Sequence, residues 1–174
     1  MARYLVNPAV VHKHQTKAND CWYACVQMLQ TWKRASTGGQ GTVKPQGVHT
    51  MHLHSGLLGH RLTADPHNSK HFSYVLQENS LRCLPTTDVD FTNLNSVQQA
   101  LQNFGPIMVG GRFGELLRHL IKGQGHYIVV GGTDDTNNNE ILVFDPWHSQ
   151  SHWMAQNWVS QNAWYDDDSQ IVCV

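Results

Sequence analysis

The first clear pattern begins at Cys21, where a polar run gives way to apolar residues at helical spacing. Asn19 or Asp20 can accept the free N–H groups of the first turn, as the residue at a helix start often does. The glycine-rich stretch 36–39 predicts where the helix ends. Five residues share the helix face that we expect to be buried: Cys21, Cys25, Met28, Leu29 and Trp32.

The middle of the chain predicts further helices separated by loops. Residues 37–68 are rich in Gly, His and Pro and predict long loops, whereas 69–79 predict a second helix. A third helix begins at Thr92 and ends at the glycine–proline pair 105–106. Residues 113–122 fit either a short amphipathic helix or a covering loop. The third helix carries four apolar residues on one face: Leu94, Val97, Leu101 and Phe104.

Short apolar runs that predict β-strands occupy mainly the second half of the chain. Residues 126–132 and 140–145 are the clearest, and the polar stretch TDDTNNN between them predicts a turn. Weaker strands are expected at 81–84, at 107–111 and in the final IVCV. Because helices precede the main run of strands, this order favours an α+β fold over a doubly wound parallel sheet.

The length of the chain indicates how many domains it forms, and its charge limits the kinds of partner that it can bind. We expect one domain over 1–174, mainly helical in 1–85 and mainly β in 86–174. Twelve Lys and Arg against thirteen Asp and Glu give a net charge of −1, without the basic surface typical of nucleic-acid binding. No apolar run is long enough to cross a bilayer, and no basic amphipathic segment suits a membrane surface. We therefore expect neither nucleic acid nor a membrane as a partner.

The N-terminal stretch MARYLVNPAVVHKHQ lacks the apolar core of a secretory signal peptide. We therefore expect the chain to be cytoplasmic as synthesised, without such a signal. Delivery into a target cell by a secretion system that reads a different signal stays open.

Cysteine and histidine are common metal ligands, but their spacing here does not define a metal site. Twelve histidines are many, yet those crowded into 49–71 have no partners at the spacing of a zinc site. We expect no metal and no cofactor, and the role of the histidine-rich region stays open. The four cysteines are too few and too scattered for a disulfide scaffold, and we expect reduced thiols at Cys21, Cys25, Cys83 and Cys173.

The two clearest strands bring a histidine close to a carboxylate. If their hairpin folds about a centre between Asp135 and Thr136, His126 lies opposite Asp145, and a one-residue error in the centre, or a bulge, still leaves the two residues neighbours. Directly opposed residues of an antiparallel pair have Cβ atoms about 5 Å apart. A carboxylate beside an imidazole fixes the tautomer of the ring and supports its charged form. The sequence thus predicts a His–Asp pair able to activate a nucleophile.

Cys21 is the candidate nucleophile because it lies in the first turn of its helix, where free N–H groups and the helix dipole favour a thiolate. Cys25 lies one turn further in and fits a core residue better. Gln15 can donate an N–H to a developing oxyanion, together with the backbone N–H of Cys21. Each residue alone is common in structural roles, and only their combination indicates nucleophilic catalysis.

The order of these motifs resembles that of the papain-like cysteine proteases. The motifs are Gln-x5-Cys-Trp at 15–22, Gly-His before an apolar strand at 125–126, and Asp-Pro-Trp at 145–147. The pattern is most similar to the small bacterial group that includes plant-pathogen effector proteases. Papain itself has Asn where Asp145 stands, whereas this group carries Asp. The resemblance implies a helical lobe packed on an antiparallel sheet lobe, with Cys21 as nucleophile, His126 as general base, Asp145 as orienting acid and Gln15 as oxyanion donor.

The bacteriocin leader peptidases are a second, more distant likeness. Their motif shares Asp20, Ala24 and Cys25 with this chain. They have glycine where Trp22 stands, and they are usually fused to a transporter. We rank this family second.

We expect a papain-like cysteine protease that hydrolyses peptide bonds through an acyl-enzyme, as a secreted bacterial effector or toxin. Its expected partners are a protein or peptide substrate and a cognate inhibitor or immunity protein, and we expect a monomer. Two alternatives stay open. The same residues serve an amidase or transamidase acting on cell-wall or other peptides, and the same fold serves a non-catalytic binding module.

Overall fold

A computed structural model describes residues 2–16, 20–39, 75–113, 125–163 and 171–174 of the chain. Within these ranges the protein combines helices with one sheet. The helices are α1 (Cys21–Thr37), α2 (Leu94–Phe104) and α3 (Gln156–Asn162), with a 3-10 turn at Thr86–Asp88. The strands are β1 (Tyr4–Leu5), β2 (Arg82–Cys83), β3 (Ile107–Gly111), β4 (His126–Asp134), β5 (Glu140–Phe144), β6 (His152–Ala155) and β7 (Ile171–Cys173).

Seven strands form a single antiparallel sheet in the described part of the chain. Its order is β2-β7-β3-β4-β5-β6, and β1 pairs with β4 beyond the end of β3. Helix α1 packs against β3 and β4, and α2 also contacts β4. This arrangement confirms the predicted α+β fold. Strands β1 and β2 precede residue 86 but join the sheet, and the division into 1–85 and 86–174 stays a prediction.

Helix α1 confirms the first predicted helix and its apolar face. Cys25, Met28 and Leu29 are fully buried in the core that the helix shares with the sheet. The helix ends where the glycine stretch predicts. Gly38 takes a left-handed backbone with φ of 76°, and its N–H donates to the carbonyl of Arg34.

The predicted cap at the start of α1 is wrong for Asp20. This residue precedes the helix, but its side chain makes no capping hydrogen bond. A capping residue needs extended backbone, whereas Asp20 has φ of −96° and ψ of 10°. Its carboxylate instead accepts a hydrogen bond from Oγ1 of Thr16 at 3.4 Å. Asn19, the other predicted cap, lies outside the described residues.

Helix α2 confirms the predicted third helix. Asn93 caps it by accepting the N–H of Asn95 at 3.0 Å, and Val97 and Leu101 on its predicted apolar face are buried. The predicted helix over 69–79 is described only in its last part, where 75–78 are helical. Most of the predicted loops at 37–68, and of the segment 113–122, lies outside the described residues.

The β4–β5 hairpin exists, but its predicted register is wrong. Near the start of β4, Val129 lies opposite Phe144, so an extension of this register would set His126 opposite residue 147 instead of Asp145. Two features cause the offset. The turn is centred at residue 137, later than predicted, so that Asp134 pairs with Glu140 and the pairing near the turn is shifted by three residues. The extra residue of β4 at the Gly131 bulge reduces the shift to two near His126.

The error of two residues leaves the predicted pair on one face of the sheet. Side chains alternate between faces with a period of two, so an even shift keeps His126 and Asp145 on the same side. They become diagonal neighbours, a relation in which long side chains still meet. The sequence therefore predicted the correct partners from an incorrect register.

We expect Gly105→Ala to destabilise the fold far more than Gly38→Ala. Gly38 needs only a left-handed backbone, and no atom of the described residues lies within 4 Å of an added Cβ, so alanine should cost about 1 kcal/mol. Gly105 has φ of 75° and ψ of −156°, a region that only glycine commonly adopts, and a Cβ there would overlap the ring of Trp32. Its replacement should cost roughly 3 kcal/mol. Urea unfolding of both variants measures the difference, and equal losses would contradict the close approach of Gly105 to the ring of Trp32.

Candidate active site

Three elements that are distant in sequence bring Cys21, His126 and Asp145 together. Cys21 is the first residue of α1, His126 is the first residue of β4, and Asp145 directly follows β5. Because α1 packs on β4 and β4 pairs with β5, all three chain positions meet at one end of the sheet. The residues are only 6%, 8% and 7% exposed respectively, so their interactions are largely shielded from water.

His126 lies between the carboxylate and the thiol. Its Nε2 donates to Oδ1 of Asp145 at 2.6 Å, in a buried contact. With Nε2 occupied, Nδ1 is the ring nitrogen left to form the hydrogen bond between His126 and the side chain of Cys21. The carboxylate thus fixes which ring nitrogen faces the sulfur.

The carboxylate of Asp145 is held by more than one donor. The backbone N–H of Trp147 donates to Oδ1 at 2.9 Å, and Nε2 of His148 lies 3.7 Å from Oδ2. The pKa of Asp145 is lowered, because these groups and above all the hydrogen bond and charge of His126 outweigh the effect of burial. Asp145 is therefore an anion at neutral pH, as a partner for an imidazolium must be.

The surroundings of His126 favour its protonated form. Burial opposes the charge, but the hydrogen bonds to Asp145 and Cys21, and the negative charges of both, raise the pKa of His126 to about 9. At neutral pH the ring is therefore an imidazolium between two acidic groups. Such an imidazolium stabilises a thiolate beside it.

Cys25 is in a different state, although it lies one turn from Cys21. It is completely buried, and burial raises the pKa of its thiol well above the usual value, an effect increased by the negative charges of Cys21 and Asp145. A thiol that stays protonated is a poor nucleophile. Cys25 therefore fits a core residue, as its position one turn into the helix predicts.

Gln15 lies next to the loop that carries Asp145. Its backbone N–H donates to the carbonyl of Pro146 at 2.8 Å, and the residue is 4% exposed. The segment around it has no regular secondary structure. Gln15 is therefore held beside the His–Asp pair by contacts with the loop.

Two histidines beside Asp145 were not predicted from the sequence. His12 donates from Nε2 to the backbone carbonyl of Asp145 at 3.0 Å, and His148 faces its carboxylate. The ring of His148 stands edge-on to that of His152, with centroids 5.3 Å apart. The position of His148 close to Asp145 in sequence was an available signal, whereas nothing in the sequence pairs His12 with this loop.

Neither a cluster of metal ligands nor a membrane-spanning helix occurs among the described residues. No group of three or more His, Cys, Asp or Glu side chains there is arranged to hold a metal ion. The histidine-rich region 49–71 falls outside the described residues, so its role stays open. No helix in the described ranges combines the length and the apolar character needed to cross a membrane.

A helix that begins at a cysteine and packs on an antiparallel sheet carrying a His–Asp pair defines the class of papain-like cysteine proteases. The model of one family, described as papain-like cysteine protease AvrRpt2, matches residues 6–163. The chain therefore belongs to this family of cysteine peptidases, in agreement with the predicted resemblance to effector-type proteases. A comparison with curated proteins finds no match.

We expect Asp145→Asn to lower the pKa of His126. The variant removes the negative charge while keeping the size of the side chain, and the loss of a close opposite charge should lower the pKa by roughly one to three pH units. Titration of the histidine resonances by NMR measures this shift, with His126→Gln assigning the signal. A value near 9 in the unchanged protein is expected, and an unchanged value in Asp145→Asn would contradict the geometry.

Proposed function

We propose that this protein hydrolyses peptide bonds through an acyl-enzyme formed on Cys21. The observation that carries the proposal is the buried hydrogen bond of 2.6 Å between His126 and Asp145, with Cys21 interacting with the same ring. This arrangement holds an imidazolium beside a sulfur at the start of a helix. Both features support a thiolate, which is the form that attacks a carbonyl carbon.

In the first half of the reaction the sulfur of Cys21 attacks the carbonyl carbon of the scissile peptide bond. The carbonyl oxygen becomes an oxyanion, for which the side chain of Gln15 and the backbone N–H of Cys21 are the proposed donors. His126 then gives its proton to the leaving nitrogen as the C–N bond breaks. The products are a thioester on Cys21 and a free amine.

In the second half, neutral His126 removes a proton from water, and the resulting hydroxide attacks the thioester carbonyl. The C–S bond breaks, the carboxylic acid leaves, and the sulfur again lies beside an imidazolium. Asp145 stabilises the charged ring in both halves without itself becoming protonated. The proton thus moves between His126, the leaving nitrogen and water.

The proposed setting is that of a bacterial effector or toxin delivered into a target cell, where it cleaves a protein. Membership in a family described by an effector protease supports this setting. A cognate inhibitor or immunity protein in the producing cell and a monomeric state remain part of the proposal. The chemistry of Cys21 does not depend on this setting.

An epoxide inhibitor of papain-type enzymes should form one adduct, on Cys21. The adduct should be absent in Cys21→Ala and strongly reduced in His126→Gln, because the imidazolium supports the reactive thiolate. Peptide mass spectrometry locates the adduct. Cys83→Ala is the matched control, since Cys83 is a partly exposed thiol in β2, away from the candidate site, and should label like the unchanged protein. Equal labelling of several thiols would refute an activated Cys21.

We also expect the rate of peptide hydrolysis to fall as the pH rises through about 9. His126 must be protonated to donate to the leaving nitrogen, and its raised pKa places the loss of this proton there. The pH profile of kcat/KM measures the ionisation in the free enzyme. A profile whose alkaline limb lies near pH 6.5, the usual value for histidine, would contradict the proposed environment of His126.

A further inference from the structure

The segment that carries Gln15 is attached to the loop of Asp145 at two points. His12 donates from Nε2 to the carbonyl of Asp145 at 3.0 Å, and the N–H of Gln15 donates to the carbonyl of Pro146 at 2.8 Å. The ring of His12 also lies against that of Phe144, with centroids 6.1 Å apart. Residues three apart on one segment thus bind consecutive residues of the other.

The hydrogen bond of His12 to a backbone carbonyl gives this residue no part in proton transfer. Its partner is a backbone carbonyl, which only accepts, so Nε2 of His12 must carry a hydrogen. The carboxylate of Asp145 is occupied by His126 and by the N–H of Trp147. His12 therefore holds the backbone of the loop and does not compete for the oxygen that orients His126.

The second attachment point has a mechanical consequence. Residues 9–15 have no helix or strand of their own to fix them. The bond at His12 adds a second contact with the loop, three residues before the bond at Gln15, and so helps to fix the direction of the segment along the loop. The loop in turn holds Asp145, and so the ring of His126. The oxyanion donor and the His–Asp pair are thereby held at a set distance.

We propose that His12 is a positioning residue, which places the side chain of Gln15 correctly relative to the thiol and the His–Asp pair. The inference rests on the proposed function, because it gives Gln15 the role of oxyanion donor. Misplacement of a catalytic group by about 1 Å can cost about a hundredfold in rate. Loss of the His12 contact should therefore affect steps that form an oxyanion, and leave other reactions of Cys21 intact.

Two small reagents separate these effects without knowledge of the natural substrate. Iodoacetamide alkylates the sulfur as iodide leaves, and no oxyanion forms. With p-nitrophenyl acetate the sulfur attacks the carbonyl, an oxyanion forms, and p-nitrophenolate leaves as the acetyl thioester appears. Mass spectrometry follows both reactions at Cys21 and gives their second-order rate constants. Because only acylation forms an oxyanion, the ratio of the acylation rate to the alkylation rate reports the contribution of the oxyanion donors. The same ratio in Gln15→Ala shows how far it falls when the side-chain donor of Gln15 is absent.

We expect His12→Leu to lower the acylation rate about tenfold or more, while the alkylation rate stays within about twofold because the thiolate is retained. His12→Gln keeps an N–H donor of similar reach and should restore most of the acylation rate. His14→Leu is the matched control, since His14 lies in the same segment but forms no hydrogen bond with the described residues of the Asp145 loop. The alkylation rate also shows that each variant is folded.

Three results would overturn the inference. Unchanged acylation in His12→Leu, an equal fall in both rates, or failure of His12→Gln to recover would each remove the positioning role. If Cys21 of the unchanged protein reacts with both reagents no faster than free cysteine, the proposed function fails and the inference fails with it. A reactive Cys21 combined with an unaffected His12→Leu overturns the inference alone.

Discussion

The hydrogen bond between His126 and Asp145 is the interaction on which the rest of the site depends. A buried carboxylate and a buried imidazolium are each costly unless they are paired and their remaining hydrogen-bonding groups are satisfied. Here the pair lies 2.6 Å apart, and Oδ1 of Asp145 also receives the N–H of Trp147. Removing either partner would leave a charge in a site shielded from water. The local chain is therefore constrained to keep both.

The need to keep this pair together explains the arrangement of the helices and strands around it. The hairpin of β4 and β5 brings the two partners to one end of the sheet, and α1 packs across β4 with its first residue at the same place. The side chain of Cys21 then lies beside the ring of His126. Cys25, one helical turn deeper in the core, stays a neutral thiol because burial raises the pKa of its side chain well above the usual value. The same helix thus holds two cysteines in different surroundings.

Much of this could be predicted from the sequence because its signals are local. Helical spacing and a terminal glycine located α1 and α2, and alternation of apolar runs with a polar turn located β4 and β5. The register of the hairpin could not be predicted, because a bulge at Gly131 and the exact turn position have weak sequence signals. The prediction of His126 and Asp145 as neighbours succeeded because the shift was even. An odd shift would have put them on opposite faces.

The remaining errors and omissions concern contacts that depend on tertiary structure. Asp20 is a common capping residue type, but its backbone angles in the folded chain do not allow the cap. His12 binds a backbone carbonyl 133 residues away, and such an acceptor exists at every position of a chain. No residue pattern identifies it in advance. The segment of Gln15 is also held by backbone contacts. The sequence therefore indicates Gln15 as a hydrogen-bond donor, but it does not indicate which residues hold that segment in place.

The central claim, hydrolysis of peptide bonds by Cys21, is tested most directly with a mixed peptide library in water enriched in ¹⁸O. Mass spectrometry compares the products formed by the unchanged protein and by Cys21→Ala. If Cys21 hydrolyses peptide bonds, cleaved peptides should appear as pairs of new amino and carboxyl termini that depend on Cys21. Each new carboxyl group should contain one ¹⁸O atom. Products joined to an amine without ¹⁸O would indicate transamidation. No new termini, or the same termini with Cys21→Ala, would contradict the account.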